Sequence, residues 1–425
     1  MRSRLLWLTL GVGALALAVS GTRVASTFAQ ARAGQVFPAV PTEKGGQDIF
    51  GPYDVVAGWP KDISTMPGNE KWTWGSGQGV FAESADRVYL LHRGELPNIK
   101  RPDAKVYPDA GPAVTFPVAQ VPWRNASVGP RSALPGALEG GDKDRGTYGV
   151  DHNWENILVI ANRAGDIVER WTQWDKTFRR PHAVYINPYD AQKHVWVVDD
   201  YRHAIFKFTH DGKQLLQTLG VPNVSGNDAT HFSRPTFLAW LPDSTMFVAD
   251  GYANTRVVKF DKDGKYVTTW GEPGNEPRET RPGYMNNVHG IAVDPQTRQV
   301  FVNDRGNRRI QVFDENGKYL REWKVGAAPV SDVHLIYMGT DRVIWAADRG
   351  TSKIIGWDLQ GNLIYTWGTF GDFPGGMFGV HGMSTDEEGN FYVAEVGGGR
   401  VQKFRPRQGA RPELMVGKPV RSAWK

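Results

Sequence analysis

The chain has 425 residues, 40% hydrophobic and 22% charged, a globular balance that can bury a large core. Its formal charge of +5 falls to +2 once Arg2, Arg4 and Arg23 are set aside with a removable leader, so charge gives no support for a nucleic-acid partner. The absence of cysteine excludes disulfides, lipidation on Cys and any thiolate metal site, leaving stability to the core.

Arg2 and Arg4 precede an apolar run from Leu5 to Val19, and Ala29-Gln30-Ala31 offers a small-x-small cleavage site. Residues 1–31 therefore read as a signal peptide, the run being short for a membrane span, and imply a secreted or periplasmic protein with no stable membrane insertion after cleavage. Residues 32–78 read as an arm laid over the domain. Within it, Tyr53 to Trp59 (YDVVAGW) has the pattern of an outermost strand and is a candidate to close a ring.

From 79 to 418 the chain is repetitive. The clearest unit runs from Asn286 to Trp323, where four short runs rich in Val, Ile, Phe and Tyr are broken by Asp-Pro-Gln-Thr, Arg-Gly-Asn and Asn-Gly. That pattern predicts a four-stranded antiparallel meander. The first unit opens at Gly79 (GVFAES, then RVYLLHRG) and resumes at NILVIANRAGDIVERW after an insertion at about 95–153, a length typical of lids or of idle loops. Further units begin at RPHAVYIN, RPTFLAWL, DVHLIYM and GVHGMSTD, the last ending in RVQKF and ELMVG. Aligning His182, Thr236, His289, His334 and His381 gives spacings of 54, 53, 45 and 47. Four strands per period of this size predict an all-β, six-bladed β-propeller. Asp-Gly, Asn-Gly or Gln-Gly between the third and fourth strands supplies the positive φ of a tight hairpin. Residues 419–425, with the basic stretch before them, read as a solvated tail.

The first strand of each blade lies innermost, so its first residues line the channel mouth. His182, His289 and His381 hold that place in blades 2, 4 and 6, about 120° apart, and three imidazoles with an open fourth position suit a catalytic zinc. His334 occupies the same column, but Leu335 follows it where Ala183, Gly290 and Gly382 follow the others, and it reads as core packing. His231 in THFSRP reads as a loop hydrogen bond. The ends of the second strands face the same mouth and supply Arg93, Asp199-Asp200-Tyr201, Tyr252, Arg305, Arg349 and Glu395. Arginines and tyrosines around a metal suit an anionic, carboxylate-bearing substrate. Asp250, Asp304 and Asp348 recur in one column of blades 3, 4 and 5 and read as turn caps.

The ordered set HRG, PH, DGYxNxR, VH, DRxNxR and VHG resembles peptidyl-α-hydroxyglycine α-amidating lyase on an NHL-repeat propeller, over roughly Gly79 to Phe404 without the insertion. The resemblance implies cleavage of a C-terminal α-hydroxyglycine to an amide and glyoxylate. It implies zinc on His182, His289 and His381, Tyr252 as the catalytic base, and Arg93 and Arg305 as substrate-binding arginines. A phenol acting as base near neutral pH needs a cation beside it. Ala253 replaces the family's cysteine, Gly382 replaces a calcium-binding Asp and so argues against a calcium there, and Gly379 replaces a Met. No copper monooxygenase domain is recognisable. The partner expected is a small or peptide substrate taken by a monomer. A non-catalytic NHL propeller binding protein or polysaccharide is the alternative, whereas a calcium-dependent lactonase needs carboxylates where the inner strands begin with His and Thr.

Overall fold

The computed structural model describes residues 48–99, 105–106, 115–116, 148–150, 152–275, 279–326 and 330–424. Residues 1–31, read above as a signal peptide, and most of the insertion fall outside the described residues. The remainder is a six-bladed β-propeller of four-stranded antiparallel sheets. Blade 1 comprises Trp72–Ser84, Arg87–Pro97, Leu158–Ala161 and Ile167–Arg170, so its third strand pairs with its second across the insertion, Val88 facing Ala161 and Leu91 facing Leu158. Its first strand starts at Trp72 rather than Gly79. The additional residues pair with Glu95, Leu96 and Pro97, and Thr73 and Trp74 are buried.

Blades 2 to 5 begin with the innermost strands Pro181–Ile186, Pro235–Trp240, Val288–Val293 and Val333–Met338. Blade 6 comprises Val380–Thr385, Phe391–Glu395 and Arg400–Pro406, completed by Tyr53–Val55. Tyr53 pairs with Pro406 and Val55 with Phe404, closing the ring with a strand from the other end of the chain. The segment ELMVG is therefore not the fourth strand. Pro412–Leu414 forms a 3-10 turn instead, while Val416 is buried and donates its N–H to the Tyr53 hydroxyl at 2.9 Å. The C-terminal tail is docked rather than solvated. Arg421 donates to the Ala82 carbonyl at 2.6 Å and Trp424 to the Asp190 carbonyl at 3.1 Å, on the face opposite the histidines.

Second strands such as Val195–Asp199 and Met246–Asp250 are buried throughout, whereas outermost strands such as Ile167–Arg170 alternate, as expected for sheets running from a dry axis to a wet rim. The recurrent carboxylates tie each second strand to the loop entering its blade. Asp250 accepts from the N–H of Ser233, Asp304 from that of Asn286 and Asp348 from that of Asp332. Neighbouring blades interlock at their rims. A Trp on one blade, Trp171, Trp270 or Trp323, lies against the hairpin glycine of the next, Gly212, Gly317 or Gly361. At Gly317, φ is +90° and an added Cβ would stand 2.8 Å from the Trp270 ring. Gly317→Ala is accordingly expected to cost about 2 kcal/mol, read as a lowered urea midpoint at constant m-value.

Candidate metal centre at the channel mouth

The ladder between first and second strands gains one residue at each histidine. Pro181 faces Asp199 and Ala183 faces Val198, while Val380 faces Glu395 and Gly382 faces Ala394, leaving His182 and His381 on the bulge. In blade 4 the slip falls between Val288 and Ile291, which brackets His289. Such bulges re-aim a side chain, and here the three imidazoles converge. Their nearest ligand atoms all lie within 4.8 Å of one another, and all three residues are buried. The small residues that follow make room for the neighbouring inner strand. A Cβ on Gly290 would meet the Ile336 nitrogen at 2.8 Å, and one on Gly382 would meet Gly79 and Val80 at 3.0 Å, so no Asp fits at 382 without a shift.

Burial holds all three imidazoles well below the usual histidine pKa, reinforced at His182 by His381 and His289 and at His289 by Arg305 and His381. Burial thus favours the uncharged imidazole, the form that can offer a ring nitrogen to a metal. His381 Nδ1 donates to the Gln78 carbonyl at 2.8 Å, and His289 Nδ1 donates to the His334 carbonyl. These bonds fix the tautomer and leave Nε2 for coordination. Phe237 lies beside the trio, with ring centroids 4.9 Å from His182 and 5.2 Å from His289. Three neutral imidazoles, two of them oriented from behind, are a donor set that fits a divalent metal.

Tyr252 follows the second strand of blade 3, and its hydroxyl lies 2.9 Å from His289 Nε2 and 3.2 Å from His182 Nε2. Arg93 and Arg305 flank the mouth. Arg93 is buried and donates to the Pro181 carbonyl at 3.1 Å, and burial together with nearby Arg180 lowers its pKa to about 9. Arg305 donates to Asp332 at 2.7 Å. Burial opposes its charge, but the Tyr252 and Asp332 neighbours hold its pKa above the usual arginine value.

His334 packs at a ring-centroid distance of 5.6 Å from His289 outside the trio, and Leu335 is in the core. His231 bonds Asp228 at 2.9 Å in its loop. Arg349 stands 3.4 Å from Asp332, whereas Glu395 and Asp199 are buried braces. Sequence reasoning did not single out Arg180 and Arg234, although an Arg-Pro pair opens both blade 2 and blade 3. Their guanidinium carbons lie 5.8 and 4.7 Å from the Tyr252 ring centroid. It also overlooked Phe237 and the carbonyls of Gln78 and His334.

Residues 226–353 match a family described as a 6-bladed beta-propeller. Over 175 residues the chain is 37% identical to peptidylglycine alpha-amidating monooxygenase of Rattus norvegicus, a match covering 40% of this chain and 17% of that protein. It is 27% identical over 275 residues to peptidyl-alpha-hydroxyglycine alpha-amidating lyase 1 of Drosophila melanogaster, covering 60% of this chain and 50% of the relative. To NHL repeat-containing protein 3 of Mus musculus it is 27% identical over 256 residues, covering 56% and 70%. The chain thus spans half or less of the first two relatives. Among the described residues no helix is long and apolar enough to cross a membrane. This six-bladed β-propeller is related in sequence to the peptidyl-α-hydroxyglycine α-amidating lyases and to NHL-repeat proteins.

Proposed function

We propose that the chain is an exported, zinc-dependent lyase that cleaves an N-acyl-α-hydroxyglycine to an amide and glyoxylate. The observation that carries the reading is the convergence of three buried, neutral imidazoles with the Tyr252 hydroxyl set between two of them. Zinc on His182, His289 and His381 would supply Lewis acidity that makes the substrate hydroxyl easier to deprotonate. Tyr252 is placed to take that proton. Arg93 and Arg305 supply guanidinium groups for the substrate carboxylate. As the proton leaves oxygen, the C=O bond of glyoxylate forms and the C–N bond breaks. Its electron pair goes to the amide nitrogen, which takes up a proton.

The test is elemental analysis of the purified protein together with an assay of glyoxylate released from α-hydroxyhippurate. Stoichiometric zinc with turnover that chelation abolishes is expected, and a metal-free protein without turnover overturns the reading. A second reading, a non-catalytic propeller binding a protein or polysaccharide, draws on the likeness to NHL repeat-containing protein 3, of which the match covers 70%. It predicts partner binding that is indifferent to chelation and to Tyr252→Phe.

A further inference from the structure

Two residues before the column position at the start of the innermost strand, the backbone turns left-handed in blades 3, 4 and 6. The residues there are Arg234 at φ 63°, Asn287 at φ 53° and Gly379 at φ 70°. Glycine and asparagine tolerate this conformation, whereas an arginine there is strained. Arginine takes the same conformation at 298, 308 and 342, so it is the contacts of the Arg234 side chain that assign it a use.

The Arg234 side chain is held by Asp200, whose carboxylate is fully buried. Asp200 Oδ2 accepts from Arg234 Nη2 at 2.9 Å and from Arg234 Nε at 3.2 Å, and Arg180 Nη1 stands 3.5 Å from the same oxygen. From that anchor the guanidinium carbon of Arg234 lies 4.7 Å from the ring centroid of Tyr201 and 4.7 Å from that of Tyr252. The Tyr252 N–H also donates to the Arg234 carbonyl at 3.2 Å. His182 and His289 meet the Tyr252 ring edge-on, at centroid distances of 5.3 and 5.0 Å. Tyr252 sits on a turn beyond the end of its strand, so these ring contacts set the direction of its phenol.

We propose that Arg234, anchored by Asp200 and seconded by Arg180, is a positioning residue that holds the Tyr252 hydroxyl beside His182 and His289. The catalytic part of this inference rests on the lyase reading above. A planar guanidinium stacks on a phenol and forks onto a carboxylate at once, which an ammonium does not.

The experiment compares Arg234→Ala, Arg234→Lys and Asp200→Asn with wild type in the α-hydroxyhippurate assay, with zinc content measured in parallel. Misplacing a reacting group lowers turnover rather than affinity. Arg234→Ala is therefore expected to lower kcat by roughly 10- to 100-fold with KM within about 3-fold and zinc unchanged, and Arg234→Lys to recover little. Asp200→Asn is expected to lower kcat likewise but to raise KM as well, because Asp200 Oδ1 also stands 4.0 Å from Arg93 Nη2. A kcat unchanged in Arg234→Ala, or a loss confined to KM, overturns the inference. A second measurement does not depend on turnover. In protein carrying ring-13C tyrosine, the Tyr252 signal is identified by its loss in Tyr252→Phe. It is expected to shift or broaden in Arg234→Ala and Asp200→Asn, and an unmoved signal overturns the positioning role even if wild type proves inactive and the lyase reading falls.

Discussion

Tyr252→Phe is expected to lower glyoxylate release from α-hydroxyhippurate by about 10²- to 10⁴-fold, the range over which a positioned proton-transfer group contributes. The substitution removes one oxygen. The aromatic ring, with its contacts to His182, His289 and Arg234, stays in place. Metal content and thermal stability are therefore expected to remain near wild type, so that the loss appears in kcat. A variant that keeps wild-type turnover would show that the phenol is a bystander. A variant that loses its zinc would instead place the hydroxyl in the coordination of the metal.

His289→Ala is expected to weaken metal binding by more than roughly 100-fold, since even a partner behind a ligand is worth 10- to 100-fold in affinity. Turnover should fall with metal occupancy. The sharper comparison is His334→Ala. The group that orients His289 is the His334 carbonyl, which the substitution retains, while the His334 imidazole itself lies outside the trio. Zinc content is expected to survive in His334→Ala and to be lost in His289→Ala, as measured by elemental analysis after dialysis against a weak chelator. Equal loss in both would mean that the fourth histidine of the column belongs to the centre.

The blade pattern was legible because it repeats. Alternating apolar runs, hairpin glycines and the spacing of the column from His182 to His381 predict six four-stranded sheets, and the strands fall where those runs lie. The two ends of the propeller were less legible. The first strand of blade 1 begins at Trp72, in a stretch whose glycines Gly75 and Gly77 mask a strand signal but accommodate the backbone atoms of Gly94 and Arg400. The closing strand at Tyr53–Val55 was recognisable by its resemblance to an outermost strand. The competing segment at Pro412 also has an apolar pattern, and a proline there turns the chain instead. The docking of Arg421 and Trp424 had no local signal at all, because a basic tail reads as solvated until its acceptors on Ala82 and Asp190 are known.

By itself, the sequence determined the repeat, the strand order within blades 1 to 5, and which columns hold residues that differ between blades. These follow from side-chain periodicity and turn chemistry, which act over a few residues. Only the tertiary structure decided how far the histidines reach, through the bulges that turn them to the axis and the Gln78 and His334 carbonyls that orient two of them. It alone decided that Asp200, Arg234 and Tyr252 form one chain of contacts across blades 2 and 3. Such contacts join residues far apart in the chain, and their geometry is set by ring closure, which no local pattern encodes.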